Sequence, residues 1–449
     1  MKRFLVLLLA LAMFFTGVVS SFAQDEVVVP EGRVLVKWWS TYASDKADWI
    51  DTNAINVFNA MQDKYYVVRE YNGGYYDQIA KLMATEQKDL PAFCNSSSET
   101  VGSYLHSGII VPAQDLIDAD ESFVDPQLFG NVVATYGYNG RMVGYPVALS
   151  LSGFWYNKAV FEAAGIDPYS LTSFDRAYEA ALAIGEGGFA KYGLAEEHSG
   201  IWANYAFARE GFDTVDNNNG LDGLPTKCLY DDNSNGFADI VTKYYTEWAD
   251  LAAKGYVYPI GAKIKDELIP ALANGDLAMI ITTNAYLANI RDSFGSNKDN
   301  FGFVPMWSAT DNGAQTSFCS SGNGFFIIDN GDPEAQKGAW EFIKFWNSPE
   351  IMTPWNMYTG YLPVYPSLRD VPEYSEFLDQ FPFLGYVIDT MQSSGTDAHY
   401  AFTATNNEYT LAGATALEAV CSGTPVDEAI ETMVETINTA FEMYNLTNN

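Results

Sequence analysis

The segment NGDLAMIITTNAYLANI, residues 274–290, changes backbone period half-way along. Asn274-Gly275-Asp276 is a turn signal, and Leu277 to Ile281 is an unbroken apolar run of strand length that reads as a buried strand. After Asn284 the spacing becomes helical. Thr282, Thr283 and Asn284 sit at the junction, so the strand delivers two hydroxyls and an amide to a helix start, where free backbone N–H groups add donors. The reading is a strand-to-helix unit with a polar floor; plain helix capping is the alternative use of the same three residues.

The same alternation extends outward in both directions. RVLVKWWS (33–40), YYVVREYN (65–72) and LPAFCNSS (90–97) read as strands. The stretch around WIDTNAINVFNAM and then GYYDQIAKLMATEQ read as the helices between them, completing a βαβαβ unit. Toward the C-terminus, Asp332-Pro333, Ser348-Pro349 and Thr424-Pro425 each pair a capping residue with a proline at the first helical position. Ile430, Met433, Val434, Ile437 and Phe441 then form a stripe at helical spacing, expected to be core.

The chain of 449 residues opens MKRFLVLLLALAMFFTGVVSSFAQDE. A basic start, the apolar run Phe4 to Val19 and Ser21-Phe22-Ala23 describe a secretory signal cleaved near Ala23. No Cys follows the run, so no lipid anchor is indicated, and secretion to a periplasm is expected. The remaining length suits two domains. Net charge is −33, and −35 once Lys2 and Arg3 are removed, which disfavours nucleic acid and anionic lipid as partners. Four cysteines, Cys94, Cys228, Cys319 and Cys421, lie far apart without a CxxC pair. Export permits Cys94–Cys319 with Cys228–Cys421; buried free thiols are the alternative.

Catalytic and metal motifs are absent. There is no GxSxG, HExxH, Walker loop or GxGxxG, and His106, His198 and His399 are isolated. DDNSNGFADIVT (231–242) starts like a calcium loop, but its twelfth position is Thr242 where a bidentate glutamate is needed, so a polar turn is expected from Asp231 onward. Neither metal nor cofactor is expected.

Aromatic residues make up 15% of the chain, and many stand beside glycines or small polar residues. KWWSTY (37–42, with Trp39), YNGGYYDQ (71–78), SLSGFWYNK (150–158), SGIWANY (199–205) and MYTGYLPVYP (357–366) are the clearest cases. Flat apolar faces next to hydroxyls and amides suit sugars, whose C–H faces stack while their hydroxyls need hydrogen bonds.

Those stretches also carry a resemblance. FWYNKAVFEAAGIDP (154–168), NGDLAMIITTNAYLANI, FGFVPMW (301–307), SSGNGFFII (320–328) and WNMYTGYLPVYPS (355–367) stand in the order found in solute-binding proteins of bacterial carbohydrate ABC importers. The chain resembles that family, maltose-binding-like, and within it the glycerol-3-phosphate-binding branch. The resemblance implies an α/β fold of two lobes, a type II periplasmic binding protein, with ligand between them. The implied lobes are 33–146 with 318–362 and 147–317 with 363–449. A monomer is expected to bind a small sugar, close, and engage ABC permease subunits without chemistry on the solute. Carried over by motif, ligand-facing positions fall on Tyr75, Ser150, Trp202, Thr283, Gly322 and Tyr361, with Asn284 beside Thr283 on the floor. An acidic position after the third strand falls at Ser98, with Glu99 next to it.

One departure bears on the ligand. The branch that binds glycerol phosphates has an arginine in its C-terminal segment, near Phe402 here, and residues 370–449 contain no Lys or Arg. Phosphate wants charge-assisted, forked donors. A neutral mono- or oligosaccharide is therefore expected, with glycerol-3-phosphate or a glycerophosphodiester as the alternative. A secreted glycoside hydrolase is the reading from another class; it needs two cleft carboxylates, and Glu99 is the one acid among the expected cleft residues.

Overall fold

Leu277–Thr283 is a strand whose first six residues are buried, as an apolar run in a sheet covered on both faces requires. This computed structural model describes residues 28–197, 200–297, 299–306, 308–311 and 317–448. The export signal expected near Ala23, and His198, lie outside them. In chain order the strands are β1 Val34–Ser40, β2 Tyr65–Tyr71, β3 Phe93–Ser97, β4 Ile110–Val111, β5 Gly137–Tyr138, β6 Arg141–Met142, β7 Tyr145–Ser150, β8 Ser152–Asn157, β9 Tyr192–Glu196, β10 Leu277–Thr283, β11 Phe301–Pro305 and β12 Ser321–Ile328.

Two principal sheets result. The first runs β2-β1-β3-β12-β4, with β7 also on β12; the second runs β11-β8-β10-β9. Within the first, β1 is parallel to β2 and β3, while β12 returns antiparallel to β3 and β7. The chain leaves the first sheet at Ser150 and enters the second at Ser152, so Leu151 alone makes the crossing. It comes back between Pro305 and Ser321. The fold is the two-lobed α/β architecture, with helices packed on each sheet.

Each lobe is built round aromatic residues. Trp38 stacks on Phe93 at 5.4 Å and meets Phe325 edge-on at 5.2 Å, with the helix Pro333–Trp346 closing over them through Phe342. In the second lobe Phe174, Phe207, Tyr244 and Trp248 form the equivalent cluster. Such pairs add about 0.5–1.5 kcal/mol beyond their area burial.

The expected elements form with particular differences. The helix after β1 starts at Ser44 and contains a π-helical turn over Asp51–Ile55. Asp332 caps its helix through the N–H groups of Glu334 and Ala335, whereas Ser348 makes no side-chain capping bond and only Pro349 marks that start. The helix Val426–Asn448 buries its whole stripe, Ile430 to Phe441. All four thiols are free, and the permitted disulfide pairs are not formed; Cys94 instead lies within the first sheet, its sulfur donating to the Tyr104 hydroxyl at 3.3 Å. The Asp231 loop is a turn in which Asp232 and Asn235 accept main-chain N–H groups, and the described residues hold no metal-type cluster.

Candidate functional site

The ends of β1, β7, β10 and β12 and the starts of several helices converge on one cavity of about 640 Å³ between the two sheets. Seven of the ten residues singled out in the sequence line it: Tyr75, Glu99, Ser150, Trp202, Thr283, Gly322 and Tyr361. Tyr75 and Trp202 are each the first residue of a helix, and both rings stand in the cavity wall. Glu99 sits in the 3₁₀ turn Ser98–Thr100 that follows β3.

Three do not line it, and each has an evident reason. Asn284 is buried, its amide oxygen accepting from the N–H of Leu151 at 2.7 Å and its amide nitrogen donating to the carbonyl of Gly360 at 2.6 Å. It fastens the crossing residue to the turn carrying Tyr361 and stands behind the cavity wall. Ser98 is fully buried, its hydroxyl aimed at the carbonyl of Ser320 at 3.4 Å. Trp39 is buried under Lys81, and its indole N–H donates to Glu70 at 3.0 Å. Thr282, part of the expected floor, turns its hydroxyl to the carboxylate of Glu197. The polar junction thus serves mostly architecture, with Thr283 alone facing the cavity. Phe402, at the position where a phosphate-binding arginine was sought, stacks on Tyr138 at 5.2 Å away from the cavity lining.

The walls are braced by hydrogen-bond networks. Asn323 on β12 donates to the hydroxyls of Tyr75 and Tyr361 at 3.2 and 3.3 Å. Its carbonyl oxygen accepts from Asn95, which reaches Thr41 and Trp38. Tyr361 also lies over Trp355, and burial pushes its hydroxyl up to about 12. A buried polar network in which each member is paired fixes the rings in place. Opposite, Trp202 donates its indole N–H to the carbonyl of Glu197 at 2.7 Å.

Sequence reading overlooked several members of this site. Lys46 follows β1, its ammonium 4.9 Å from the centre of the Tyr361 ring, and Lys265 enters from the second lobe. Glu197, at the end of β9, accepts from Tyr286 and Thr282, one on each oxygen, and burial still holds its carboxyl above the usual range. Thr41, Tyr42, Tyr76 and Tyr286 complete the wall. Glu99 is therefore accompanied by Glu197 and Asp45, and the argument from a solitary acid does not hold. The two lobes also touch directly: Tyr205 donates to Glu99 at 2.5 Å, and Tyr76 meets Thr410 and Asn406 at 3.3 and 3.0 Å.

Comparison with known proteins gives this geometry a context. The sn-glycerol-3-phosphate-binding periplasmic protein UgpB of Yersinia pestis is 27% identical over 370 residues, covering 81% of this chain and 80% of its own. That of Escherichia coli K12 is 25% identical over 362 residues, covering 77% and 78%. Among solved structures, the sugar-binding protein MalE of Xanthomonas citri aligns with a TM-score of 0.72 at 14% identity, covering 92% of this chain and 99% of that one. UgpB of Mycobacterium tuberculosis, in complex with glycerophosphocholine, aligns at 0.70 with 18% identity over 92% and 99%. The family profile of the bacterial extracellular solute-binding proteins matches residues 53–377. With that match across most of its length, and a cleft between two α/β lobes to go with it, the chain belongs to the bacterial extracellular solute-binding proteins, which serve ABC importers.

Proposed function

We propose that the cleft captures a carbohydrate, a mono- or short oligosaccharide, and that the lobes close on it for delivery to an ABC permease. The observation that carries this reading is the cavity wall itself. Six rings, from Tyr42, Tyr75, Tyr76, Trp202, Tyr286 and Tyr361, stand among the hydroxyls of Thr41, Ser150, Thr283 and Ser321 and the carboxylates of Glu99 and Glu197. Apolar faces alternating with fixed acceptors match a sugar's two kinds of surface. The lobes proposed to move are 33–146 with 318–362 and 147–317 with 363–449, the first junction adjusted to Leu151 where the chain crosses.

Glycerol-3-phosphate or a glycerophosphodiester is the second reading, favoured by the named relatives and by two lysines in the cleft. Against it stand Glu99 and Glu197 in the same cavity and the lack of any arginine among the described residues that line it. The expectation of a neutral ligand rested on the missing cations of residues 370–449. That absence disfavours a forked phosphate clamp, but Lys46 and Lys265 leave the sugar's charge open. Hydrolysis now draws on a pair of carboxylates, yet relatives with this fold are binding proteins of transporters.

A tryptophan-fluorescence titration tests the assignment, with mono- and oligosaccharides alongside glycerol-3-phosphate. Saturable micromolar binding of an intact sugar is expected. Binding of glycerol-3-phosphate alone would overturn the carbohydrate assignment, and consumption of the sugar would restore the hydrolase.

A further inference from the structure

Lys46 stands apart from the other charged residues of the cleft. It is half-buried in the cavity wall, its ammonium facing the Tyr361 ring, and it takes part in none of the ion pairs or side-chain hydrogen bonds of the described residues. The same is true of Lys265, which is exposed on the opposite wall. The ion pairs that do form lie elsewhere on the molecule, such as Arg69–Asp51, Lys243–Asp175 and Lys344–Asp120. An ammonium carries three donors and pays for partial burial unless an acceptor meets it. Burial indeed draws the Lys46 ammonium below its ordinary range, against the opposing pull of Asp45 and Glu197.

Glu197 does not meet that need. It is close enough for both lysines to act on its charge, but its two oxygens already accept from Thr282 and Tyr286. The lining carries three carboxylates, Asp45, Glu99 and Glu197, against the two ammonium groups, but none of the three makes an ion pair or hydrogen bond with Lys46, so its donors stay without an acceptor of their own. A single anionic acceptor on the solute would meet those donors. A phosphate dianion would be repelled more strongly by the carboxylates beside it and would find no guanidinium fork among the described lining residues.

We propose that the solute is an acidic sugar, a monosaccharide or short oligosaccharide bearing a carboxylate, and that Lys46 and Lys265 seat this carboxylate while the tyrosine rings and Trp202 hold the pyranose faces. The proposal rests on the carbohydrate reading above and makes it specific. Lys46 is the specificity residue, because it is partly desolvated and positioned by the Tyr361 ring; Lys265 is free in solvent and contributes chiefly on closure.

Calorimetric titration of the purified protein and of Lys46→Gln, with uronic acids and short oligouronides each paired with its neutral parent sugar, tests this. The expected result is at least one uronide bound 10-fold or more tighter than its parent. In Lys46→Gln that gap should fall to less than 3-fold, with the melting temperature retained. A parent sugar that binds as tightly as its acid, or a gap that survives in Lys46→Gln, would overturn the carboxylate seat and leave carbohydrate capture standing. Binding of glycerol-3-phosphate with no sugar bound at all would overturn both.

Discussion

Tyr361 and Trp202 face each other's lobes with different kinds of support. Tyr361 lies over Trp355, with ring centres 6.2 Å apart, and its hydroxyl is held by the Asn323 side chain; Trp202 stacks on Tyr205 at 6.1 Å, and its indole is held by the main-chain carbonyl of Glu197. Truncating either ring removes an anchor and leaves partners exposed. Tyr361→Ala and Trp202→Ala are each expected to weaken solute affinity by about 1–3 kcal/mol, measured calorimetrically. Unchanged affinity in both would place the solute elsewhere. These two, like Tyr75 and Gly322, were reached through the family resemblance, whose motifs place them position by position. Lys46 and Glu197 were not, since an isolated lysine and one of many glutamates carry no local pattern. Only the third dimension brings Lys46 against Tyr361, and only strand pairing sets Glu197 beside Thr282. Asn284 shows the reverse case: its motif was read correctly as a polar junction, but main-chain groups from Leu151 and Gly360 reach the amide before any solute can.

At the level of elements, apolar runs and proline-marked starts located the strands and helices, whereas irregularities within them had no signature. The π-helical turn at Asp51–Ile55 and the bulge in β12 between Asn323 and Gly324 belong to this second group. The bulge adjoins Gly322 and Asn323, which line the cavity wall. The strand itself depends on glycine at its second position. Gly322 has φ of +127°, and a Cβ there would stand 2.0 Å from the carbonyl oxygen of Ala148 on β7. Gly322→Ala therefore combines backbone strain with a clash against main chain, which cannot swing aside as a side chain can. A loss of about 1–3 kcal/mol in unfolding free energy is expected by urea denaturation. A change below about 0.5 kcal/mol, the range of ordinary surface substitutions, would mean β12 and β7 separate more easily than their register implies.

For the whole molecule, the resemblance carried the two-lobe fold, and the sheet topology adds where the chain passes from one sheet to the other: at Leu151 and again between Pro305 and Ser321. Across the cleft, Tyr205 from the second lobe donates to Glu99 of the first, and Ser321 of β12 approaches the same carboxylate oxygen at 3.3 Å. A hydrogen bond to a charged acceptor contributes about 1.5–3 kcal/mol, enough to bias an opening equilibrium by tenfold or more without a solute. Solute should then complete the shift, since it touches both lobes in the closed arrangement and one at a time in an open form. Small-angle scattering is expected to show a smaller radius of gyration at saturating solute. Tyr205→Phe, which keeps the ring and removes the donor, should enlarge the free protein, leave the saturated radius unchanged and lower apparent affinity by the fraction of closed protein it removes. If radius and affinity are both indifferent to Tyr205→Phe, the Tyr205–Glu99 bond does not couple the lobes. If solute also leaves the radius unchanged, capture proceeds in a rigid cleft, and the permease would have to recognise something other than closure.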